Sequence, residues 1–324
     1  MIKRKALLIG INSYPNCALH CCLNDVDDLK KSLSFNSDMS RNFDVMTLIE
    51  DKATRRNIRS KIKLLFSGDD EIALLYFSGH GCDNDQDGYI VTQDFEQDDY
   101  GIGMTEILAE ANKSKCRYKV IILDCCHAGH MGNPGIIGDT SYLGNGVVIM
   151  TASNKDQLST EINGHGVFTN LLIEALNGGA ADILGNITPG GIYAYIDQAL
   201  GTWKQRPLFK ANIDSFISLR SVTPQITLVE LRQIVNLFKD VNSIYPLNPS
   251  YEKTNIKDGP HNNCEPYAKP ENVKILTILQ KFNRNGLLLP LGTEDMYFAA
   301  MKSTGCYLTP LGKHYWKMIK EDLI

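Results

Sequence analysis

The chain has 324 residues, a length that suits one large domain with a small one beside it rather than a single ordinary domain. Hydrophobic residues make up 43% and charged residues 22%, which predicts a packed core and excludes wholesale disorder. The formal net charge of -4 is unevenly spread: residues 1–224 hold 21 Lys+Arg against 27 Asp+Glu, the remainder 12 against 10, so the first part is a poor nucleic-acid binder and a better host for basic substrates.

In chain order, the first two-thirds alternate short apolar runs with segments of helical spacing. Strands are predicted over 6–11, 45–49, 72–77, 120–123 and 147–151, and helices over 25–33, 55–66, 105–111, 168–176 and 192–200. The strands are nearly continuous apolar runs, the pattern of strands buried on both faces. This predicts an α/β fold with a mostly parallel sheet flanked by helices. The residues just past the carboxyl ends of those strands are then the ones to inspect for function.

The character changes after Thr223-Pro224, giving predicted domains at 1–223 and 224–324. Thr227 and Glu230 form a capping box opening a helix to about residue 241. Residues 245–270 carry Pro246, Pro249, Pro260, Pro266 and Pro270 and read as a loop open to disorder. Helices are predicted over 271–282, 294–302 and 310–323, with Thr293 and Thr309 as N-caps and Pro310 at a first helical position. Short strands at 287–289 and 307–308 would make a wing-like hairpin, so this small, mainly helical part matches a winged-helix module.

Two strand ends carry chemistry. Ser78-Gly79-His80-Gly81 follows the third strand, and Asp124-Cys125-Cys126-His127-Ala128-Gly129 follows the fourth. If the two strands are neighbours, about 4.8 Å apart, His80 and Cys126 emerge side by side. A histidine beside a cysteine is a base beside a nucleophile, and the attacking species is the thiolate. The N–H groups of Gly81 and Cys126 would hold the oxyanion. Neither motif offers a third, orienting acid. Taken singly, each motif also reads blandly, as a buried small hydrophobe or a turn; their pairing at two strand ends favours catalysis.

Tyr76 to Gly81 and Asp124 to Gly129 resemble the histidine and cysteine motifs of caspase-like peptidases, nearest the metacaspase type. Three further stretches are similar: Ala6 to Tyr14, Cys22-Leu23-Asn24-Asp25, and Thr151 to Gln157 with Gly166-Val167-Phe168-Thr169. The resemblance covers about residues 5–220. It implies a caspase-hemoglobinase sheet and a cysteine endopeptidase with Cys126 as nucleophile, Cys125 filling a variable slot. It also implies an acidic S1 pocket for a P1 Arg or Lys, built from Asp25, Ser78 and Asp124, with Asp156 a looser match. Charge-assisted bonds from a carboxylate pair to a guanidinium are the physical reason. The other reading has Asp25 capping a helix and Asp124 closing a strand.

Metacaspase-type relatives are often calcium-activated. Asp83, Asp85 and Asp87 with Gly88 fit the first part of an EF-hand loop, but position twelve is Asp94 rather than Glu, and Met104-Thr105 stands where later paired aspartates belong. The expectation is that no cofactor is required, with calcium at Asp83, Asp85, Asp87 and Asp94 as the alternative to a solvated acidic loop that attracts basic substrates. No metal is expected in the catalytic centre.

The nine cysteines are an odd count without zinc-site spacing, which predicts a reducing compartment and a cytoplasmic protein. The apolar run at 6–11 is too short for a signal-peptide core, and nothing approaches the roughly 18 apolar residues of a membrane span. The expected partners are a protein substrate with a basic P1 residue and a protein docking on residues 224–324. By resemblance, the setting is a regulated prokaryotic defence or cell-death system. Lys313, His314, Lys317 and Lys320 form only a modest basic stripe, so nucleic acid is not the expected partner. Two other readings are a silent scaffold or a nucleic-acid-binding regulator acting through residues 224–324. An intact His–Cys pair weighs against the scaffold. The loop 130–146 holds no Lys or Arg, so a basic-specific peptidase would not cut itself there, and Arg220 is the better self-cleavage point.

Overall fold

Two strands buried along their whole length decide the centre of the molecule, Ile72–Ser78 and Tyr118–Asp124. The computed structural model describes residues 3–324 except 16, 85–86, 97–98, 126–141, 153–160, 163, 201–206, 216 and 260–262. The chain divides into two compact units, Met1–Thr223 and Pro224–Ile324.

The first unit runs β1 (Arg4–Gly10), α1 (Cys22–Ser34), β2 (Asp44–Ile49), α2 (Arg55–Phe66), β3 (Ile72–Ser78), β4 (Gly81–Asp83), β5 (Gly88–Glu96) and β6 (Asp99–Gly103). It continues with α3 (Met104–Lys113), β7 (Tyr118–Asp124), β8 (Val147–Thr151), β9 (Glu161–Ile162), β10 (His165–Gly166), α4 (Val167–Glu174), β11 (Asn186–Ile187), α5 (Pro189–Leu200), β12 (Leu208–Asn212) and β13 (Arg220–Ser221). The five strands read from the sequence are all present, their ends within two residues of the predicted ones.

The main sheet has the order β12-β8-β7-β3-β1-β2. Its strands are parallel except β12, which pairs antiparallel with β8 at the edge. Alternate residues of each strand serve opposite faces. Leu7, Ile9, Leu75, Phe77, Ile121 and Leu123 pack with Ile58, Ile62 and Leu65 of α2 and Ile107 of α3. Ala6, Leu8, Leu74, Tyr76, Val120 and Ile122 pack with Val26 and Leu29 of α1, Leu172 of α4 and Ile196 of α5. The α/β sheet covered by helices on both sides is the expected one.

Helix ends differ from the sequence reading for local reasons. Helix α1 begins at Cys22 because the Asn12 Oδ1 accepts its N–H at 2.9 Å, a cap supplied from ten residues away. Helix α4 stops at Glu174, where Ala175–Gly179 widens into a π turn and Gly178 takes φ +123°. Arg220, the self-cleavage point the sequence offers, is tied into the fold. It sits in β13, and its guanidinium donates to the carbonyls of Leu176 at 2.8 Å and Phe35 at 3.1 Å.

The second unit comprises α6 (Leu228–Leu231), α7 (Ile234–Leu237), β14 (Ile244–Tyr245), α8 (Pro270–Arg284), β15 (Leu288–Pro290), α9 (Met296–Met301), β16 (Cys306–Leu308) and α10 (Pro310–Lys320). The capping box of Thr227 and Glu230 is formed. The single helix expected after it is two short ones, because the chain tightens to i→i+3 bonds from Gln233 to Glu230 and from Asn236 to Gln233. Asp295, not Thr293, caps α9, accepting the Phe298 N–H at 2.9 Å. Thr309 caps α10 as expected. The predicted hairpin strands pair, but β14 joins them in a three-stranded antiparallel sheet of order β14-β16-β15.

The loop after β14 is organised around one side chain rather than disordered in its described residues. Asn255 is buried; its Nδ2 lies 3.0, 2.9 and 3.1 Å from the carbonyls of Pro249, Cys264 and Pro266, and its Oδ1 accepts the Cys264 N–H. Asn255→Ala strands those groups and is expected to cost about 2–3 kcal/mol. A denaturant melt of the full chain, followed by a probe of the second unit, measures it.

Candidate active site

The carboxyl ends of β1, β3 and β7 lie side by side, with Gly10 opposite Ser78 and Ser78 opposite Asp124. His80 follows two residues past Ser78, and Cys126 two residues past Asp124. Cys126 and Asp156 lie outside the described residues, as does Asp85 of the acidic loop. Cys125 is buried among the core side chains of the sheet.

His80 is held on three sides. Its Nε2 lies 2.6 Å from the Cys17 carbonyl oxygen. A carbonyl only accepts, so Nε2 carries the proton and Nδ1 is left as the basic nitrogen. The His80 backbone N–H donates to the Tyr14 hydroxyl at 3.2 Å, and that hydroxyl donates to the Val91 carbonyl at 3.0 Å. The two rings meet with centroids 4.6 Å apart. Gly79 makes this approach feasible, since a Cβ there would sit 2.6 Å from the Tyr14 hydroxyl and 2.7 Å from Phe77 Cζ. A main-chain carbonyl thus orients the ring. Gly81 opens β4, opposite Ile90.

Leu19, Cys22, Asp25, Ser78, Asp124 and Gly166 line one small cleft. Three of the predicted pocket residues therefore meet. The Ser78 Oγ donates to Asp25 Oδ2 at 3.0 Å. The Thr169 Oγ1 donates to Asp124 Oδ2 at 2.6 Å and is itself 2.6 Å from the Tyr76 hydroxyl. Gly166 passes so close that a Cβ would lie 2.6 Å from Asp124 Oδ2. Burial pushes the Asp124 carboxyl up to about 7; Thr169 pulls it back, and the neighbouring Asp25 charge adds to the rise. Burial also raises Asp25, against bonds from His165, Ser78 and the Gly166 N–H. The Cys22 thiol is pushed up to about 12 by burial, so it lines the cleft uncharged.

Residues 3–213 match the family model of the caspase domain. The chain belongs to the caspase family. It is therefore a cysteine-type peptidase, acting on protein substrates. A crystal structure of a protein from Geobacter sulfurreducens shares its fold, at 18% identity and a TM-score of 0.50, over 68% of this chain and 100% of that one. No curated protein matches the chain.

The acidic stretch after His80 lies on a separate three-stranded sheet of order β4-β5-β6, and two of its aspartates are tied to helix ends. Asp87 accepts from the Thr105 hydroxyl at 2.9 Å and from the Thr105 N–H in the first turn of α3. Asp94 accepts the Arg55 N–H at 2.7 Å, at the start of α2. Asp83 ends β4. Among the described residues no three His, Cys, Asp or Glu side chains are grouped to hold a metal ion, and no helix is long and apolar enough to cross a membrane.

Sequence reasoning missed four groups of this caspase site: Tyr14, the Cys17 carbonyl, His165 and the Tyr76–Thr169 hydroxyl pair. Tyr14, Tyr76 and Thr169 lay within stretches read only as family likeness. His165 stands just before Gly166, 140 residues from its partner Asp25.

Proposed function

We propose that this caspase-family chain is an endopeptidase cutting after Arg or Lys, with His80 as base and Cys126 as nucleophile. The observation that carries the reading is the buried pair Asp25 and Asp124, opening on one cleft beside Ser78. Two carboxylates raised by burial, Asp124 further by the Asp25 charge, gain most from a cation, because a guanidinium replaces the water they lost and offsets their repulsion. An aspartate at P1 would add a third negative charge.

In this reading His80 Nδ1 takes the thiol proton of Cys126, and the thiolate attacks the carbonyl carbon of the P1 residue. The N–H groups of Gly81 and Cys126 hold the oxyanion. His80 then gives its proton to the departing amine, and water releases the acyl group from sulfur. Asp156 joins the pocket in the same proposal. The test is a fluorogenic peptide series differing only at P1. Cleavage of Arg and Lys with no cleavage of Asp supports the reading, and a preference for Asp removes it.

No cofactor is proposed. Asp87 and Asp94 serve as helix caps, which favours a solvated acidic loop over a calcium site built from Asp83, Asp85, Asp87 and Asp94. The expected result is that chelator and added calcium each leave the rate within about twofold; a calcium requirement of tenfold or more would restore the metal site. With no basic residue in 130–146 and Arg220 locked, the peptidase is proposed to work as one uncut chain. The cytoplasmic defence or cell-death setting, and a protein partner docking on the second unit, are proposed from family resemblance and charge balance.

A further inference from the structure

We propose that His165 is a positioning residue of the basic-P1 pocket, fixing the Asp25 carboxylate between its imidazole on one oxygen and Ser78 on the other. The inference rests on the basic-P1 reading above. His165 Nδ1 lies 2.9 Å from Asp25 Oδ1, and Nε2 lies 3.4 Å from Asp28 Oδ2. Asp25 and Asp28 are three residues apart on α1 and so share a face. The ring is gripped from both ends, its side chain 16% exposed and that of Asp25 1%. Asp28 is in turn held by Lys31 at 2.6 Å, which carries the arrangement to the surface.

The titratable and polar groups facing Asp25 come from four elements. Cys22 and Asp28 lie on its own helix, Ser78 ends β3, Asp124 ends β7, and His165 with the Gly166 N–H belongs to β10. Burial pushes the Asp25 carboxyl up, and the His165 bond is the largest pull in the other direction. Without that bond, an arriving P1 cation meets Asp25 more often as a neutral acid and in an unfixed rotamer.

The test is steady-state kinetics of the full chain on paired peptides with Arg or citrulline at P1, citrulline being the uncharged isostere. His165→Ala is expected to raise KM for the Arg peptide about tenfold at pH 7, with kcat within about twofold. That deficit shrinks as pH rises and Asp25 regains its charge, and the citrulline peptide is unaffected. His165→Asn places an amide N–H near the Nδ1 position and is expected to restore most of the KM. His165→Gln places one near Nε2, facing Asp28, and is expected not to. This pair keeps the test available if the alanine variant fails to fold. Equal KM for the Asn and Gln variants, or a loss of kcat shared by both peptides, overturns the positioning role. A wild-type chain that leaves Arg and Lys peptides uncut removes the pocket reading itself, a different outcome from unchanged variants of an active enzyme.

Discussion

Replacing His80 with alanine is expected to lower kcat for a basic-P1 peptide by about 10³- to 10⁴-fold, with KM within about twofold. The size follows from what the ring does. Its Nε2–H is spent on the Cys17 carbonyl, so Nδ1 is the nitrogen left to draw a proton from a thiol. The Tyr14 ring packs against the same imidazole, and the Tyr14 hydroxyl accepts the His80 backbone N–H. A pre-oriented base of this kind makes the thiolate available at neutral pH, and without it a cysteine is mostly a neutral thiol. KM stays put because His80 is not among the groups lining the acidic cleft. Stopped assays at saturating and limiting substrate separate the two effects. A variant that keeps more than about a tenth of wild-type kcat would show that another group is the base.

Asp124→Asn is the second large effect, and it falls on binding. A buried carboxylate partner of a cation is worth roughly 2–5 kcal/mol, so kcat/KM for Arg and Lys peptides is expected to fall about 30- to 5,000-fold. The pH dependence carries the signature. Burial pushes the Asp124 carboxyl of the folded protein up to about 7, against about 3.9 for a free aspartate. The folded empty site therefore binds more protons than the unfolded chain between about pH 4 and 7, and the contribution of Asp124 to stability declines as pH rises through that window. A P1 cation reverses the preference: it binds the carboxylate and expels the proton. Below pH 7 the wild-type KM for an Arg peptide is expected to rise up to tenfold per unit, and in Asp124→Asn this slope flattens to the part that Asp25 contributes. The same variant gains melting temperature relative to wild type at pH 8 and not at pH 5. Parallel pH profiles in the two proteins would take Asp124 out of the pocket.

How much of this was legible in the sequence depends on the kind of group. The sheet was readable because strands buried on both faces leave unbroken apolar runs, as in β3 and β7. Strand β12 was not, because an antiparallel edge strand of half-exposed residues leaves no such run. His80, Asp25 and Asp124 were readable because each stands at a strand end or helix start within a motif. The Cys17 carbonyl was invisible, since a main-chain group leaves no mark on the residue that carries it. His165 was hidden by its distance along the chain from Asp25. The acidic loop was ambiguous for a physical reason: closely spaced aspartates suit a calcium loop and helix caps equally, and the bonds to Arg55 and Thr105 favour caps. Thr293 and Asp295 are both good caps, and only the chain path chooses between them.

The central claim is that one sulfur, Cys126, attacks the bond after a basic residue. A peptidyl acyloxymethyl ketone with Arg at P1 tests it directly, because the attacking thiolate displaces the carboxylate and keeps the peptide as a thioether. Mass spectrometry of the digested adduct is expected to find a single label on Cys126, absent in Cys126→Ala and not formed by the matching Asp reagent. A label on Cys125 or Cys22, or equal labelling by the Asp reagent, would contradict the account.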